Sequence, residues 1–176
     1  MQATKKVLIM GVTGAIGRGL PALFSAGGIE VTGVSRSDNP WVEGVSDWQH
    51  PEHLDLAGFD MVVNLAGESI AQRWTKANKY KFHDSRVGLT CRLVQAIAKL
   101  DQSQRPRVLI NGSAVGYYGN RSEEELTEVS LLGEGYLADL CDQWVSAAFK
   151  VEPLCVRAVM PRTGVVIGSG CAPWPK

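Results

Sequence analysis

The stretch IMGVTGAIGRG, residues 9–19, places three glycines directly after a short apolar run. Gly11, Gly14 and Gly17 are each separated by two residues, and an apolar helical pattern follows them. In a dinucleotide-binding turn, one glycine permits the sharp turn, another lets backbone N–H groups approach a pyrophosphate, and a third lets the helix pack on the strand. The free amides and positive dipole end of the helix would hold the anion. The pattern therefore predicts a dinucleotide site, and a tight turn without a nucleotide is the alternative.

The rest of the chain alternates strand patterns with helix patterns. Apolar, β-branched runs recur at 7–10, 31–34, 61–65, 108–110 and 155–160, as is typical of parallel strands that are buried on both faces. Helical periodicity covers 15–26, 75–100 and 136–149, and we expect Pro21 to kink the first of these helices. The alternation predicts an α/β fold of the Rossmann type, a doubly wound parallel sheet with helices on both faces and ligands at the carboxyl ends of the strands.

Size and charge narrow the class of protein further. The 176 residues, 45% of them hydrophobic, predict one globular domain over 1–176. Lys and Arg total 18, as do Asp and Glu, so we expect neither nucleic acid nor a membrane surface as a partner. The four cysteines are widely spaced, which predicts no metal site, no disulfide framework and a cytoplasmic location.

The end of the second predicted strand indicates which dinucleotide is bound. Val34-Ser35-Arg36 lies roughly 20 residues after the glycines, where an acidic residue would favour NAD and a basic one the 2′-phosphate of NADP. A hydroxyl and a guanidinium suit a phosphate, so we predict NADP(H) rather than NAD(H). Asp38 is the candidate for the NAD-type contact, and an ordinary exposed arginine is the alternative for Arg36.

Several stretches together resemble a known family. They are MGVTGAIGRG, VSRS, DMVVNLAGESIAQRWT, DSRVGLT, INGSAVGYYG, LTE and RTGVVIG. In order and spacing they are similar to the epimerase-family subgroup of the extended or atypical short-chain dehydrogenase/reductases. Members of this subgroup are often labelled nucleoside-diphosphate-sugar epimerases and sometimes cell division inhibitors.

The resemblance implies a set of cofactor-binding residues. Gly11, Thr13, Gly14, Ala15 and Ile16 would line the pyrophosphate turn, and Ser35 and Arg36 would meet the 2′-phosphate. The remaining members are Leu65, Ala66 and Gly67 beside the adenosine, Arg86 projecting toward the cofactor, and Val166 near the nicotinamide. The alternative for Arg86 is a surface ion pair with Asp84 or a neighbour, and for Leu65, Ala66 and Val166 it is core packing.

The catalytic set that the resemblance implies is incomplete. The superfamily pairs an upstream serine with a tyrosine that stands four residues before a lysine. Ser113 and Tyr136 match the first two, but Leu140 occupies the lysine position. A phenol has an ordinary pKa near 10, so without a nearby cation Tyr136 would donate a proton more readily than accept one. Packing is the alternative for Tyr136, and Tyr117, Tyr118 and Glu68 are substitute acids. The loop around GESIAQRW is expected to close over the site, with Trp74 as a packing anchor.

Extended members of the family carry a further C-terminal lobe that supplies most of the substrate pocket, and we expect that lobe to be missing here. Residues 169–176 form an atypical tail, and the codons of Pro173-Trp174-Pro175-Lys176 can be read in a shifted frame as Leu-Ala-Lys, which suggests a frameshift. An uncovered sheet edge would favour self-association. The resemblance implies an NADP(H)-dependent oxidoreductase or epimerase that acts on a small molecule, with a nucleotide sugar suggested by analogy alone. A non-catalytic NADP(H) binder or sensor, linked to cell division, is the alternative.

Overall fold

A computed structural model describes residues 4–38 and 40–167 of the chain. Within these ranges eight strands form two sheets, and in the main sheet all six strands are parallel in the order β3-β2-β1-β4-β5-β7. These strands are β1 Lys6–Met10, β2 Glu30–Val34, β3 Asp47–Gln49, β4 Met61–Asn64, β5 Val108–Asn111 and β7 Arg157–Val159. The small second sheet pairs β6, Ser113–Ala114, with β8, Arg162–Thr163. The predicted doubly wound parallel sheet is confirmed, while the tail at 169–176 and its suspected frameshift lie outside the described residues.

In the described part of the chain, four α-helices connect the strands. They are α1 Leu20–Ala26, α2 Lys76–His83, α3 Leu89–Ala98 and α4 Tyr136–Phe149. Short 3₁₀ segments occupy Gly17–Gly19, Gln102–Gln104, Val115–Tyr118 and Glu152–Leu154, and a π-helical turn at Asp84–Gly88 joins α2 to α3. Across the described ranges, the structure contains no helix of the length and apolar character that crossing a bilayer requires.

The central strands are buried on both faces, as the apolar runs predicted. In β1, Leu8 and Met10 belong to a core cluster that also includes Leu93 and Ala148 of α3 and α4. The alternate residues Val7 and Ile9 face the opposite way, into a cluster against which Leu20 and Phe24 of α1 pack. Because successive side chains of a strand point to opposite faces, this arrangement places α1 on one side of the sheet and α3 and α4 on the other.

Two boundary predictions were wrong. The first helix was expected at 15–26, but it begins at Leu20 after a 3₁₀ turn, so Pro21 lies in the first helical turn and initiates the helix without kinking it. The last strand was expected at 155–160, but it is shorter because Cys155 adopts a left-handed conformation with a φ of 62° and ends the preceding turn.

Strand β3 was not predicted from the sequence. Asp47–Gln49 has no apolar run because it is an edge strand with an exposed or half-buried burial pattern. Its Trp48 ring covers Gly33 of β2, where an added Cβ would come within 2.8 Å of the ring. The sequence signal for this strand was therefore Gly33 on the neighbouring strand, which leaves room for the Trp48 ring.

The turn after β1 depends on close contact between backbone segments. Gly11 has a φ of 78°, and a Cβ on it would approach the backbone of Leu65 and Ala66 to 2.7–2.8 Å. A Cβ on Gly17 would overlap the carbonyl oxygen of Gly11. Only glycine combines a positive φ with this lack of space. The 3₁₀ turn, the end of β1 and the segment after β4 are thereby held together at the point where the strand order reverses.

A buried polar network lies beside this point and connects four elements. Asn64 Nδ2 donates to Asn111 Oδ1 at 2.7 Å, and Thr90 Oγ1 donates to the same oxygen at 3.1 Å. Trp144 Nε1 of α4 donates to Thr90 Oγ1 at 3.1 Å. Asn64, Thr90 and Asn111 are fully buried, so each hydrogen bond compensates the cost of removing these groups from water.

We expect Gly17→Ala to lower the free energy of unfolding by at least about 2 kcal/mol, because its Cβ has no room beside the Gly11 carbonyl. Gly19→Ala is the matched control, since a Cβ there meets no atom within 4 Å and its φ is −82°. Gly19→Ala should change the stability by less than about 1 kcal/mol. Urea unfolding of the two variants measures both values, and equal effects would contradict the packing role of Gly17.

We expect Asn111→Ala to destabilise the fold by about 2–3 kcal/mol, because it removes the acceptor shared by Asn64 and Thr90 and leaves buried donors unpaired. The control is Asn120→Ala, which lies on the surface and loses one local hydrogen bond to the Ser122 amide. Thermal and chemical unfolding report the difference, and a loss below about 1 kcal/mol for Asn111→Ala would show that the network contributes little.

Candidate functional site

A groove of about 580 Å³ runs along the carboxyl ends of β1, β2 and β4. Eight of the predicted cofactor residues line it: Gly11, Thr13, Gly14, Ser35, Arg36, Leu65, Ala66 and Gly67. The structure thus brings together three segments that are far apart in sequence, at the place where the topology of a doubly wound sheet puts its ligands.

The glycine turn forms one wall of the groove. Gly14 donates from its amide to the Gly11 carbonyl at 3.0 Å, and a Cβ on Gly14 would meet that oxygen at 3.1 Å and otherwise open space. Among the hydrogen bonds of the described chain, the backbone N–H groups of Thr13, Ala15 and Ile16 find no acceptor. Unsatisfied amides clustered in one turn are suited to an anion. Ala15 and Ile16 themselves are exposed and do not line the groove.

The second wall of the groove is the segment after β2, which carries the cationic side chain of Arg36. Ser35 and Arg36 follow β2, and Ser35 Oγ accepts a hydrogen bond from the Ser37 amide at 3.0 Å. Arg36 is exposed and makes no hydrogen bond or ion pair within the described residues. Asp38 does not line the groove, so the geometry favours the guanidinium over the carboxylate as the group that meets a ligand here.

The π-helical turn and the start of α3 contribute groove residues that were not predicted to bind the cofactor. Asp84, Ser85, Leu89 and Arg92 line the groove, and Arg92 Nη1 donates to Asp84 Oδ1 at 3.1 Å. The predicted alternative of an Arg86–Asp84 ion pair is therefore wrong, because Asp84 pairs with Arg92. The resemblance of DSRVGLT to the family was the sequence signal available for these residues. Helical periodicity could not reveal the π turn, which rotates their side chains toward the groove.

Arg86 is fixed beside the groove and does not line it. Its Nη1 donates to the Glu68 carbonyl at 3.0 Å, and its guanidinium carbon lies 3.1 Å from the position of a Cβ on Gly67. The same carbon lies 5.4 Å from the centre of the Trp144 ring. Burial lowers the pKa of Arg86, and the charges of Cys141, Tyr136 and Glu68 oppose this shift. An arginine nevertheless stays protonated in proteins.

Ser113 opens β6, and Gly112 alone separates it from the end of β5. It is 2% exposed, and its Oγ is the single buried side-chain nitrogen or oxygen that has no hydrogen-bond partner in the part of the chain described here. Its backbone is fixed on both sides, because its amide donates to the Pro161 carbonyl and its own carbonyl accepts from Thr163 Oγ1. A buried hydroxyl that lacks a partner costs free energy, which marks Ser113 as a position where a ligand oxygen would be favourable.

Tyr136 begins α4 and contacts α2. Its hydroxyl donates to the Lys79 carbonyl at 3.1 Å, the Lys79 ammonium lies 4.6 Å from the centre of its ring, and the Trp74 ring is 5.6 Å away. Burial raises the pKa of Tyr136, and the charge of Arg86 opposes the shift. The phenol is therefore neutral at pH 7 and is a proton donor at that pH.

Other predicted site residues have different surroundings. The Tyr118 hydroxyl donates to the Thr127 carbonyl and accepts from Arg162, whose guanidinium also lies 3.9 Å from the centre of the Tyr117 ring. These two phenols therefore fix the loop after β6. Val166 follows β8, is 39% exposed and does not line the groove. No group of three His, Cys, Asp or Glu residues suited to a metal ion occurs within 4–38 and 40–167.

Comparison with known proteins agrees with this arrangement. A sequence model of the NAD dependent epimerase/dehydratase family matches residues 7–140. An epimerase family protein of Mycobacterium bovis is 37% identical over 171 residues, covering 94% of this chain and 55% of that protein. The chain thus spans about half the length of the curated relatives it matches.

Two crystal structures share the fold and about a third of the sequence. The nucleoside-diphosphate sugar epimerase from Corynebacterium glutamicum matches with a TM-score of 0.78 and 32% identity, over 96% of this chain and 36% of that one. Human epimerase family protein SDR39U1, crystallised with NADPH, matches with a TM-score of 0.75 and 32% identity, over 94% and 56%. By its sequence and its fold, this chain belongs to the NAD dependent epimerase/dehydratase family of the short-chain dehydrogenase/reductases.

Proposed function

We propose that the chain is the cofactor-binding half of an NADP(H)-dependent oxidoreductase or epimerase that transfers hydride to or from a hydroxyl or carbonyl carbon of a small molecule. The observation that carries the proposal is the groove at the carboxyl ends of β1 and β2, which is lined both by the glycine turn and by Arg36, whose guanidinium has no partner among the described residues. The 32% identity to a human protein crystallised with NADPH supports it.

The residues present fit a phosphorylated dinucleotide. The groove volume lies within the usual range for small-molecule sites. The free amide of Thr13, which lines the groove, would hold the pyrophosphate together with those of Ala15 and Ile16, which follow it in the turn. Arg36 and Ser35 would bind the 2′-phosphate by charge-assisted hydrogen bonds. Leu65, Ala66 and Gly67 would lie beside the adenosine, and the Arg86 guanidinium packs against Gly67. The bound cofactor supplies the hydride chemistry.

The protein's own groups would act on the substrate oxygen. Ser113 carries a buried hydroxyl without a partner, which would orient a carbonyl or hydroxyl oxygen. Tyr136 would donate a proton as a carbonyl is reduced, since its raised pKa keeps the phenol protonated at neutral pH. In the oxidative direction the same residue must act as a base, and that activity would increase with pH as the phenol ionises.

A second candidate function is binding without catalysis. It is favoured by the hydrogen bond of the Tyr136 hydroxyl to the Lys79 carbonyl and by Leu140 at the position where the superfamily carries lysine. In this case the groove would sense NADP(H), and Tyr136 would connect α2 to α4. The apolar side chains exposed near β8, among them Val165 and Ile167, are consistent with the self-association predicted from the sequence.

We expect NADPH to bind more tightly than NADH, and Arg36→Ala to weaken NADPH at least about 10-fold while changing NADH less than about 2-fold, because the guanidinium meets only the 2′-phosphate. Calorimetric titration of both nucleotides measures this. Arg107→Ala is the matched control, since Arg107 is exposed at the opposite end of the sheet. Equal weakening of NADPH and NADH by Arg36→Ala would contradict the assigned role of Arg36.

Loss of NADPH absorbance with a panel of carbonyl compounds and nucleotide sugars distinguishes the two candidate functions. For an enzyme, we expect Ser113→Ala to lower kcat at least about 10-fold and reduction to be constant through neutral pH, then to decrease above the raised pKa of Tyr136. Gly19→Ala serves as a control for general effects of substitution. NADPH binding without turnover of any compound in the panel would favour the second candidate.

A further inference from the structure

Position 140 lacks the cation that a tyrosine of this type needs in order to ionise. Leu140 stands four residues after Tyr136, and it is 3% exposed. A positive charge that stabilises a Tyr136 phenolate must therefore come from another element. The surroundings of α4 identify which element can supply it.

The α2 helix and the π turn run beside α4 in a fixed register. The Tyr136 hydroxyl contacts the Lys79 carbonyl, His83 Nε2 lies 3.1 Å from Gln143 Oε1, and Arg86 lies over the Trp144 ring. Residue numbers increase together along both segments, so the two run in parallel. In this register, position 140 lies at a level between Lys79 and His83.

The Arg86 side chain reaches back to that level. Its Nη1 lies 3.4 Å from the Phe82 carbonyl, one helical turn earlier, and 3.0 Å from the Glu68 carbonyl. Gly67 on one side and the Trp144 ring on the other restrict the guanidinium. The Phe82 carbonyl lies one helical turn from the Lys79 carbonyl that accepts from the Tyr136 hydroxyl, so the charge is held about one turn of α2 from the phenol.

We propose that the guanidinium of Arg86 supplies the positive charge that stabilises the ionised form of Tyr136, in place of the lysine absent at position 140. Arg86 is thereby a positioning residue, because it acts on the substrate through the phenol. Gly67 and Trp144 hold it, and Trp144 is itself fixed by its hydrogen bond to Thr90 in the buried polar network. The functional meaning of this inference rests on the proposed function, although the electrostatic coupling can be measured without any cofactor.

The charges around the phenol agree with this assignment. Burial raises the pKa of Tyr136, and Arg86 is the cation that opposes the increase. Lys79 lies over the face of the ring and is 4.6 Å from its centre. Glu68 and Cys141 interact with Arg86, and burial raises the pKa of the Cys141 thiol, so that it is neutral at pH 7. Glu68 is thus the acidic neighbour that would offset part of the Arg86 charge.

The test is the titration of Tyr136 in the cofactor-free protein. The chain has four tyrosines, and replacing them biosynthetically with 3-fluorotyrosine lowers the pH at which the phenols ionise and gives one ¹⁹F NMR signal for each. Tyr136→Phe assigns the signal of residue 136. We expect R86Q, whose amide can still donate to the Glu68 carbonyl, to raise the pKa of residue 136 by at least about 0.5 unit, and R86K to restore most of the shift.

Matched controls separate the effect of charge from that of packing. R92M removes a guanidinium from the next turn that is paired with Asp84, and it should leave the titration unchanged. K79M removes the ammonium over the ring and should shift the titration less than R86Q does. R86M is a second neutral variant, and circular dichroism confirms that each variant folds. An unchanged pKa in both R86Q and R86M, or a larger shift in K79M or R92M, would overturn the inference. Failure of NADPH to bind would instead count against the proposed function alone.

Discussion

The close approach of Gly11 to Gly17 and to the backbone after β4 is the constraint on which the groove depends. At this place three backbone segments meet without an intervening side chain. The contact sets the distance between β1 and the turn after it. It also exposes the unsatisfied amides of that turn at the carboxyl edge of the sheet, where the segments after β2 and β4 converge. A local steric rule of glycine thus determines where an anion can be bound.

The Asn64–Thr90–Asn111–Trp144 network provides a second layer of support behind the groove. Its four members come from β4, α3, β5 and α4. Of these elements, β4 leads into the segment that lines the groove, and α4 begins with Tyr136. Buried polar networks are costly unless every group is satisfied. Here the shared acceptor on Asn111 specifies one relative placement of these elements, and through Trp144 this placement extends to the Arg86 guanidinium.

The sequence was informative wherever a single segment carried the signal. The first four strands with apolar runs, the helix at 136–149 and the glycine turn were predicted closely, because burial on both faces and backbone geometry leave a local pattern. Strand β3 left none, since it is an edge strand whose stabilising contact is between Trp48 and Gly33 of another strand. Arg36 could be placed by its position after β2. The positions of Arg92 and Glu68 could not be predicted in this way, because they depend on how separate elements pack together.

The π-helical turn also sets the rotation of α3 relative to α2 about their common helix axis. One surplus residue in an α-helix rotates all later side chains by roughly 100° about the axis. The part before the shift contacts α4 through Lys79 and His83, while the part after it contacts α4 through Thr90 and buries Leu93 and Ile97 against the sheet. A deletion of one residue within 84–88 would bring the two parts into phase again. One of the two parts would then present a different face to its neighbours, so the packing of α2 and α3 depends on the length of this short segment.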